Sequence, residues 1–175
     1  MNNIYLIGFM GAGKTAVAHT LEEKTLRKRY DTDDMIVERE GKPVSLIFAQ
    51  DGEDYFRRVE REVIASLTPI ENAIVSCGGG VIKSEENRKE LKRGGKVIFL
   101  SATPETVLDR VSRNNRRPLL EGHKNISDIK KMMDERMMLY EKAYDIRIEV
   151  DDKSLEEISD EILKKIAILT DKNAT

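Results

Sequence analysis

The sequence predicts an α/β fold: a parallel sheet with helices on both faces. Three observations carry this prediction. Short apolar, β-branched runs recur along the chain, segments with a helical apolar period lie between them, and a glycine-rich turn joins the first run to the first helical segment. Strands that alternate with helices are connected by crossovers, so neighbouring strands run parallel and both faces of the sheet are covered.

Ile4-Tyr5-Leu6-Ile7 reads as the first strand. Arg29-Tyr30-Asp31 is too short for propensity to decide and is taken as the second because of the residues that follow it. Ala73-Ile74-Val75-Ser76, Lys96 to Leu100 and Ile146 to Val150 supply three more strands. The clearest helix is C-terminal, where Leu155, Ile158, Ile162, Ile166 and Leu169 fall on one apolar face. From Ser112 to Asn125 the chain carries Arg113, Arg116 and Arg117, then Pro118, Gly122 and His123, with no sustained apolar period. This segment is expected to be a mobile loop, and loops of this length in compact domains are often active-site lids.

Composition narrows the class. The chain has 175 residues, 39% hydrophobic and 35% charged, which suits one folded domain spanning residues 1–175 without repeats or linkers. Its 30 Lys and Arg against 32 Asp and Glu leave a formal charge of −2, too even for the broad basic surface of a nucleic-acid binder. A lone cysteine, Cys77, excludes a disulfide framework and a Cys-rich zinc site and fits a reducing, cytoplasmic setting. The apolar stretch Ile4 to Met10 is short, lacks a basic flank and runs into Lys14, so neither a signal peptide nor a membrane span is expected.

The chemistry begins at Gly8-Phe9-Met10-Gly11-Ala12-Gly13-Lys14-Thr15, a full match to G-x-x-x-x-G-K-[ST] between a strand and a helix. Glycines let consecutive backbone N–H groups point at phosphate oxygens from a helix N-terminus. Lys14 then reaches the β- and γ-phosphates, and the Thr15 hydroxyl is positioned for Mg²⁺. After the second strand comes Asp31-Thr32-Asp33-Asp34. In extended chain Asp31 and Asp33 share a face, one serving a metal and the other an acceptor hydroxyl. The competing reading is an acidic N-cap for a helix starting near Asp34.

Other features stay open on spacing alone. Gly78-Gly79-Gly80 marks either a close approach of backbone to a ligand or a loose turn. Phe56-Arg57-Arg58-Val59-Glu60 reads most simply as a solvated helix face with Arg57 pairing Glu60 at i,i+3. Arg136 lies among Met132, Met133, Met137 and Met138, where an arginine can snorkel while the methionines fill core gaps. Lys24 to Arg29 reads as a solvated helix end, and neither His19 nor His123 has a partner at metal spacing.

Together these motifs resemble the shikimate kinase family from the phosphate loop to near the C-terminus. The matching residues are 8–15, Asp31-Thr32-Asp33, Gly52-Glu53 with Phe56-Arg57 and Glu60, Gly78-Gly79-Gly80, Arg117-Pro118-Leu119-Leu120, and Arg136 with Leu139-Tyr140. The resemblance implies a three-layer P-loop kinase with a five-stranded parallel sheet in the order 2-3-1-4-5. It also implies a shikimate-binding section around residues 32–60 and a lid around 112–124. By position, it makes Gly11, Ala12, Gly13, Lys14, Thr15, Ala16, Arg110 and Arg117 the ATP site, with Arg110 near adenine and Arg117 reaching the phosphates. Thr15 and Asp31 become the Mg²⁺ residues. Asp33, Arg57, Gly78, Gly79, Gly80 and Arg136 become the shikimate site, and Lys14, Asp33 and Arg117 the catalytic set. Ser76 resembles the hydroxyl residue before the glycines, and residues 150–154 the adenine-facing segment.

The family often has Ser-Thr where this chain has Thr15-Ala16, and some members have threonine where Cys77 stands. The implied function is ATP-dependent phosphorylation of the shikimate 3-hydroxyl by a cytoplasmic monomer. The rivals are a nucleoside monophosphate or other small-metabolite kinase of the same fold, and a non-catalytic nucleotide-binding regulatory domain. A GTPase is disfavoured, because no N-K-x-D element follows a later strand.

Overall fold

The computed structural model describes residues 3–113 and 125–172. Five strands, β1 (Asn3–Ile7), β2 (Lys28–Asp31), β3 (Ala73–Ser76), β4 (Gly95–Ser101) and β5 (Ile146–Glu149), form one parallel sheet in the order β2-β3-β1-β4-β5, as expected. The central β1 pairs with β3 from Ile4↔Ile74 to Leu6↔Ser76 and with β4 from Asn3↔Gly95 to Ile7↔Phe99. The short β2 is a true edge strand, registered on β3 from Lys28↔Ala73 to Asp31↔Ser76. That register carries Asp31 to the same end of the sheet as Ser76.

Helices α1 (Lys14–Thr25), α2 (Thr32–Glu40), α3 (Val44–Leu67), α4 (Glu85–Gly94), α5 (Pro104–Ser112), α6 (Ile126–Ala143) and α7 (Leu155–Lys172) cover the sheet. Side chains alternate across a strand, so β1 feeds two cores. Ile4 and Leu6 pack with Val17, Leu21, Ile158 and Ile162 of α1 and α7. Tyr5 and Ile7 pack with Val63, Leu67 and Leu91 of α3 and α4. Helix α6 joins both, placing Ile129 in the first core and Tyr140 and Ala143 in the second. Gly52, at φ 84° and ψ 170°, interrupts α3 before the segment that carries Phe56, Arg57 and Glu60.

Two local expectations are corrected. Helix α2 starts at Thr32, not near Asp34, because the Asp31 carboxylate accepts the free amide N–H groups of Asp33 (3.0 Å) and Asp34 (3.4 Å). Asp33 therefore sits in the first helical turn and does not lie beside Asp31 in extended chain. Met132, Met133 and Met137 do pack against the cores, but Met138 is 67% exposed, since residues this closely spaced cannot all face inward around a helix. The run Lys24 to Arg29 is the expected solvated helix end, none of it buried, but Lys24 is also ion-paired there. Its ammonium bridges Glu156 (2.6 Å) and Asp160 (2.7 Å), tying α1 to α7. Of the expected lid, Ser112 closes α5, Arg113 pairs with Asp109 (2.9 Å), and Asn125 caps α6 by accepting the Asp128 N–H (2.8 Å). Arg116, Arg117, Pro118, Leu119, Leu120, Gly122 and His123 lie outside the described residues.

At the sheet end remote from the glycine-rich loop, the buried Asn3 amide works as a polar staple. Its Nδ2 donates to Ile70 O (2.6 Å) and the Tyr5 hydroxyl (3.2 Å), and its Oδ1 accepts the Ala73 N–H (2.9 Å). Asn3→Ala leaves several of these groups buried without partners. It is expected to cost about 2 kcal/mol or more in urea unfolding, with kinetics at low temperature unchanged.

Candidate active site

Residues Gly8 to Thr15 bridge β1 and α1. Gly13, in the left-handed region at φ 95°, turns the chain so that α1 begins at Lys14 with its amide N–H groups facing outward, a geometry suited to phosphate. Lys14 is 9% exposed and lies along the loop, donating from Nζ to Gly8 O (2.9 Å) and Phe9 O (3.1 Å). Arg110 of α5 buttresses the loop, donating from Nη1 to Gly11 O and Ala12 O, each at 3.1 Å. The open cleft here, about 280 Å³, is lined by Gly11, Gly13, Lys14, Thr15 and Ala16 on one side and by Asp31, Asp33, Gly78 and Gly79 on the other.

Three oxygens meet inside that cleft. The Thr15 hydroxyl donates to Asp31 Oδ2 (3.2 Å), and Ser76 Oγ lies 3.4 Å from Thr15 Oγ1. An all-oxygen set with a single carboxylate fits a magnesium ion that keeps several waters and takes phosphate oxygens as further ligands. A metal held by protein alone is a different design. Among the described residues, no three His, Cys, Asp or Glu side chains converge as such a site would need.

Beyond β3 the chain turns through Gly78-Gly79-Gly80, and each glycine meets one of the singled-out side chains. A Cβ on Gly78 would stand 2.5 Å from Asp33 Oδ1, and one on Gly80 would stand 2.5 Å from Arg57 Nη1. Between them, Gly79 O accepts from Arg136 Nη1 at 3.4 Å. The triple glycine is therefore a close-approach surface and not a loose turn. Thr32 Oγ1 accepts the Gly78 N–H (2.8 Å), which locks the turn to the start of α2.

Arg57 does pair with Glu60, yet this is no solvated face, because Glu60 is 1% exposed. Arg57 Nη1 contacts both Glu60 oxygens (2.9 and 3.1 Å), while its Nε and Nη2 each contact Glu53 at 3.3 Å. Lys83 approaches the same Glu53 at 3.5 Å. Burial raises the Glu60 pKa, and the Arg57 charge and hydrogen bonds pull it back only in part. Arg136 lies over the Phe9 ring, 5.1 Å from its centroid. Cys77, fully buried, has its thiol pushed further up by desolvation and is chemically inert here.

The structure thus brings together Gly11, Gly13, Lys14, Thr15, Ala16, Asp31, Asp33, Arg57, Gly78, Gly79, Gly80, Arg110 and Arg136. Ala12 is buried behind the loop, and Arg117 lies outside the described residues. Sequence reading missed Thr32, Phe9 and the Glu53–Lys83 link. Thr32 could have been suspected from its place between two aspartates, whereas Phe9 and Arg136 are distant in sequence and leave no local signal.

A parallel sheet of this order, with a phosphate loop after its central strand and a carboxylate-and-arginine pocket beside it, defines a P-loop kinase for a small anionic acceptor. The shikimate kinase family model matches residues 10–167. A shikimate kinase from Sulfurihydrogenibium sp. (strain YO3AOP1) is 43% identical over 166 residues, covering 95% of this chain and 98% of its own. The shikimate kinase from Acinetobacter baumannii in complex with shikimate superposes with a TM-score of 0.90 at 34% identity, over 98% of this chain and 95% of that one. The shikimate kinase from Aquifex aeolicus vf5 gives 0.80 at 36%, over 96% and 98%. The chain belongs to the shikimate kinase family.

Two outcomes test this geometry. Gly78→Ala forces the Asp33 carboxylate aside and is expected to lower kcat by roughly tenfold or more while the melting temperature moves little. Steady-state kinetics beside a thermal melt separates the two effects. Because burial raises the Glu60 pKa above its unfolded value near 4.5, the folded chain holds that proton more tightly. The resulting stability is complete below the unfolded value and is lost as pH rises through the folded one. Glu60→Gln is expected to flatten this part of the profile, measured by urea titrations from about pH 4 upward.

Proposed function

We propose that this chain transfers the γ-phosphoryl group of ATP to the 3-hydroxyl of shikimate. The observation that supports it best is the triple glycine met by Asp33, Arg136 and Arg57 in turn, directly beside the phosphate loop. Two guanidinium groups provide planar, charge-assisted recognition of a carboxylate, which a nucleobase does not require. That contrast favours shikimate over a nucleoside monophosphate acceptor.

In this reading the amides of Gly11 to Ala16 cradle the phosphates, and Lys14 leaves the Gly8 and Phe9 carbonyls to meet the β- and γ-phosphate charge. Thr15 and Asp31, with Ser76 beside them, would hold Mg²⁺. That ion, when bound, neutralises phosphate charge. Asp33 accepts a hydrogen bond from the acceptor hydroxyl and aims its oxygen at phosphorus for in-line attack. Gly79 lends its backbone amide to the acceptor. Arg57 and Arg136 grip the carboxylate and so fix which hydroxyl faces ATP. Arg117 is assigned to the phosphates on the family resemblance, and residues 112–124 to a lid on that resemblance and on the irregular sequence of the segment. A single domain, a monomer and a cytoplasmic setting complete the proposal. Among the described residues, no helix is long and apolar enough to cross a membrane.

An assay coupled to ADP release, run with shikimate, quinate, AMP and CMP in turn, is expected to show turnover with shikimate far above the others. Preference for a nucleotide acceptor would overturn the assignment. Lys14→Met should lower that turnover by about 100-fold or more with the melting temperature close to wild type. Asp33→Asn keeps size and hydrogen bonding but deletes the charge, so it should reduce kcat more than it raises the KM for ATP. An unchanged kcat would leave Asp33 a purely structural residue.

A further inference from the structure

Tyr140 lies one helical turn after Arg136 on α6, and helical side chains lean back toward the N-terminus, which carries its phenol toward the guanidinium. The ring is 2% exposed and stacks on Phe99 with centroids 4.4 Å apart and planes at 12°, so the hydroxyl has a fixed position. Among the described residues, this hydroxyl and that of Ser159 are the buried side-chain polar atoms with no hydrogen-bond partner. Burial pushes the phenol pKa up to about 12, against the opposing charge of the neighbouring Arg136, so the group stays neutral at working pH. The Arg136 guanidinium also lowers that pKa through a side-chain contact with the phenol, so the two groups already face each other, but the contact falls short of a well-formed hydrogen bond.

Arg136 itself is held loosely, by a long 3.4 Å bond to Gly79 O and by the face of Phe9. A guanidinium carries five donors in one plane, and the direction of that plane decides whether it meets a carboxylate at two points or one. Besides Gly79 O, the stacked Tyr140 phenol is the fixed oxygen placed to set that direction.

We infer that Tyr140 is a positioning residue for Arg136: when a carboxylate draws the guanidinium off Gly79 O, one of its N–H groups closes onto the Tyr140 hydroxyl, which holds the plane for two-point contact. This rests on the reading of Arg136 as a carboxylate-binding residue. It follows that the free protein holds a buried hydroxyl whose hydrogen bond to Arg136 is poorly formed and improves on acceptor binding, so the bond strengthens affinity for a carboxylate-bearing acceptor without taking part in phosphoryl transfer.

Tyr140→Phe keeps the stacked ring and removes only the oxygen. Titration calorimetry with shikimate is expected to show roughly three- to tenfold weaker binding, with the shikimate KM rising in parallel. The kcat and the KM for ATP should stay near wild type and the melting temperature should not fall, since a residue serving only the core would move the melt and not the KM. In an Arg136→Lys background the same change is expected to have no further effect. Wild-type binding by Tyr140→Phe, with Arg136→Lys binding weakly, sinks the inference and leaves the Arg136 reading standing. Wild-type binding by Arg136→Lys sinks that reading, and the inference with it. An equal loss in both backgrounds would show that the hydroxyl acts on the acceptor by another route and also overturns it.

Discussion

The site depends on a stretch of backbone that carries no side chains. Gly78 and Gly80 leave room for Asp33 and Arg57 to come within reach of the main chain, where a single methyl group at either position would stand 2.5 Å from the functional atom. This constraint sets how closely side chains from three helices approach the main chain. Helix α2 delivers Asp33, the second segment of α3 delivers Arg57, and α6 delivers Arg136, all to one turn at the end of β3. The Thr32 hydroxyl anchors that turn through the Gly78 N–H, so the acceptor pocket and the start of α2 are one unit.

Among the described residues, Lys14, Arg57 and Arg136 are engaged before any ligand arrives. Lys14 donates to two loop carbonyls, Arg57 is shared between Glu60 and Glu53, and Arg136 rests on Phe9 and Gly79 O. Pre-pairing avoids the large penalty of an isolated buried charge and also fixes each group near the position it needs. An incoming phosphate or carboxylate must therefore replace existing partners. Replacement is easiest at Lys14 and Arg136, whose partners are neutral carbonyls and an aromatic face, and hardest at Arg57, which keeps a buried carboxylate. The expected division of labour is that Arg57 forms a fixed wall and Arg136 adjusts.

Helix α6 links this division to the core. It packs against α5 and α4, and its buried residues fall in both cores, Ile129 in one and Tyr140 and Ala143 in the other, so the helix is fixed along its length with Arg136 between those anchor points. A guanidinium on a rigid helix needs only side-chain motion to leave Gly79 O, and the Tyr140 phenol lies one turn away on the same helix.

Much of this was legible in the residues. Apolar runs and the C-terminal helical period located four strands and α7, because burial on both faces gives β1, β3 and β4 near-continuous apolar sequence and the half-exposed edge strand β5 alternates. The phosphate loop declared itself, since its chemistry requires particular residues at particular spacing within a few positions. Helix α2 was misplaced because a D-x-D pattern is compatible with either extended chain or a cap, and only the amides of Asp33 and Asp34 closing on Asp31 decided between them. Arg57 looked like a surface residue because its i,i+3 partner reads the same whether buried or solvated. By itself, then, the sequence determined what is local: the layer order of strands and helices, the loop and its helix, and the residue types available for chemistry. Tertiary structure alone decided which of those residues meet, because the contacts of Gly78 with Asp33, Gly79 with Arg136 and Phe9 with Arg136 join segments that are far apart in the chain, and only the register and crossovers of the folded sheet bring them into reach.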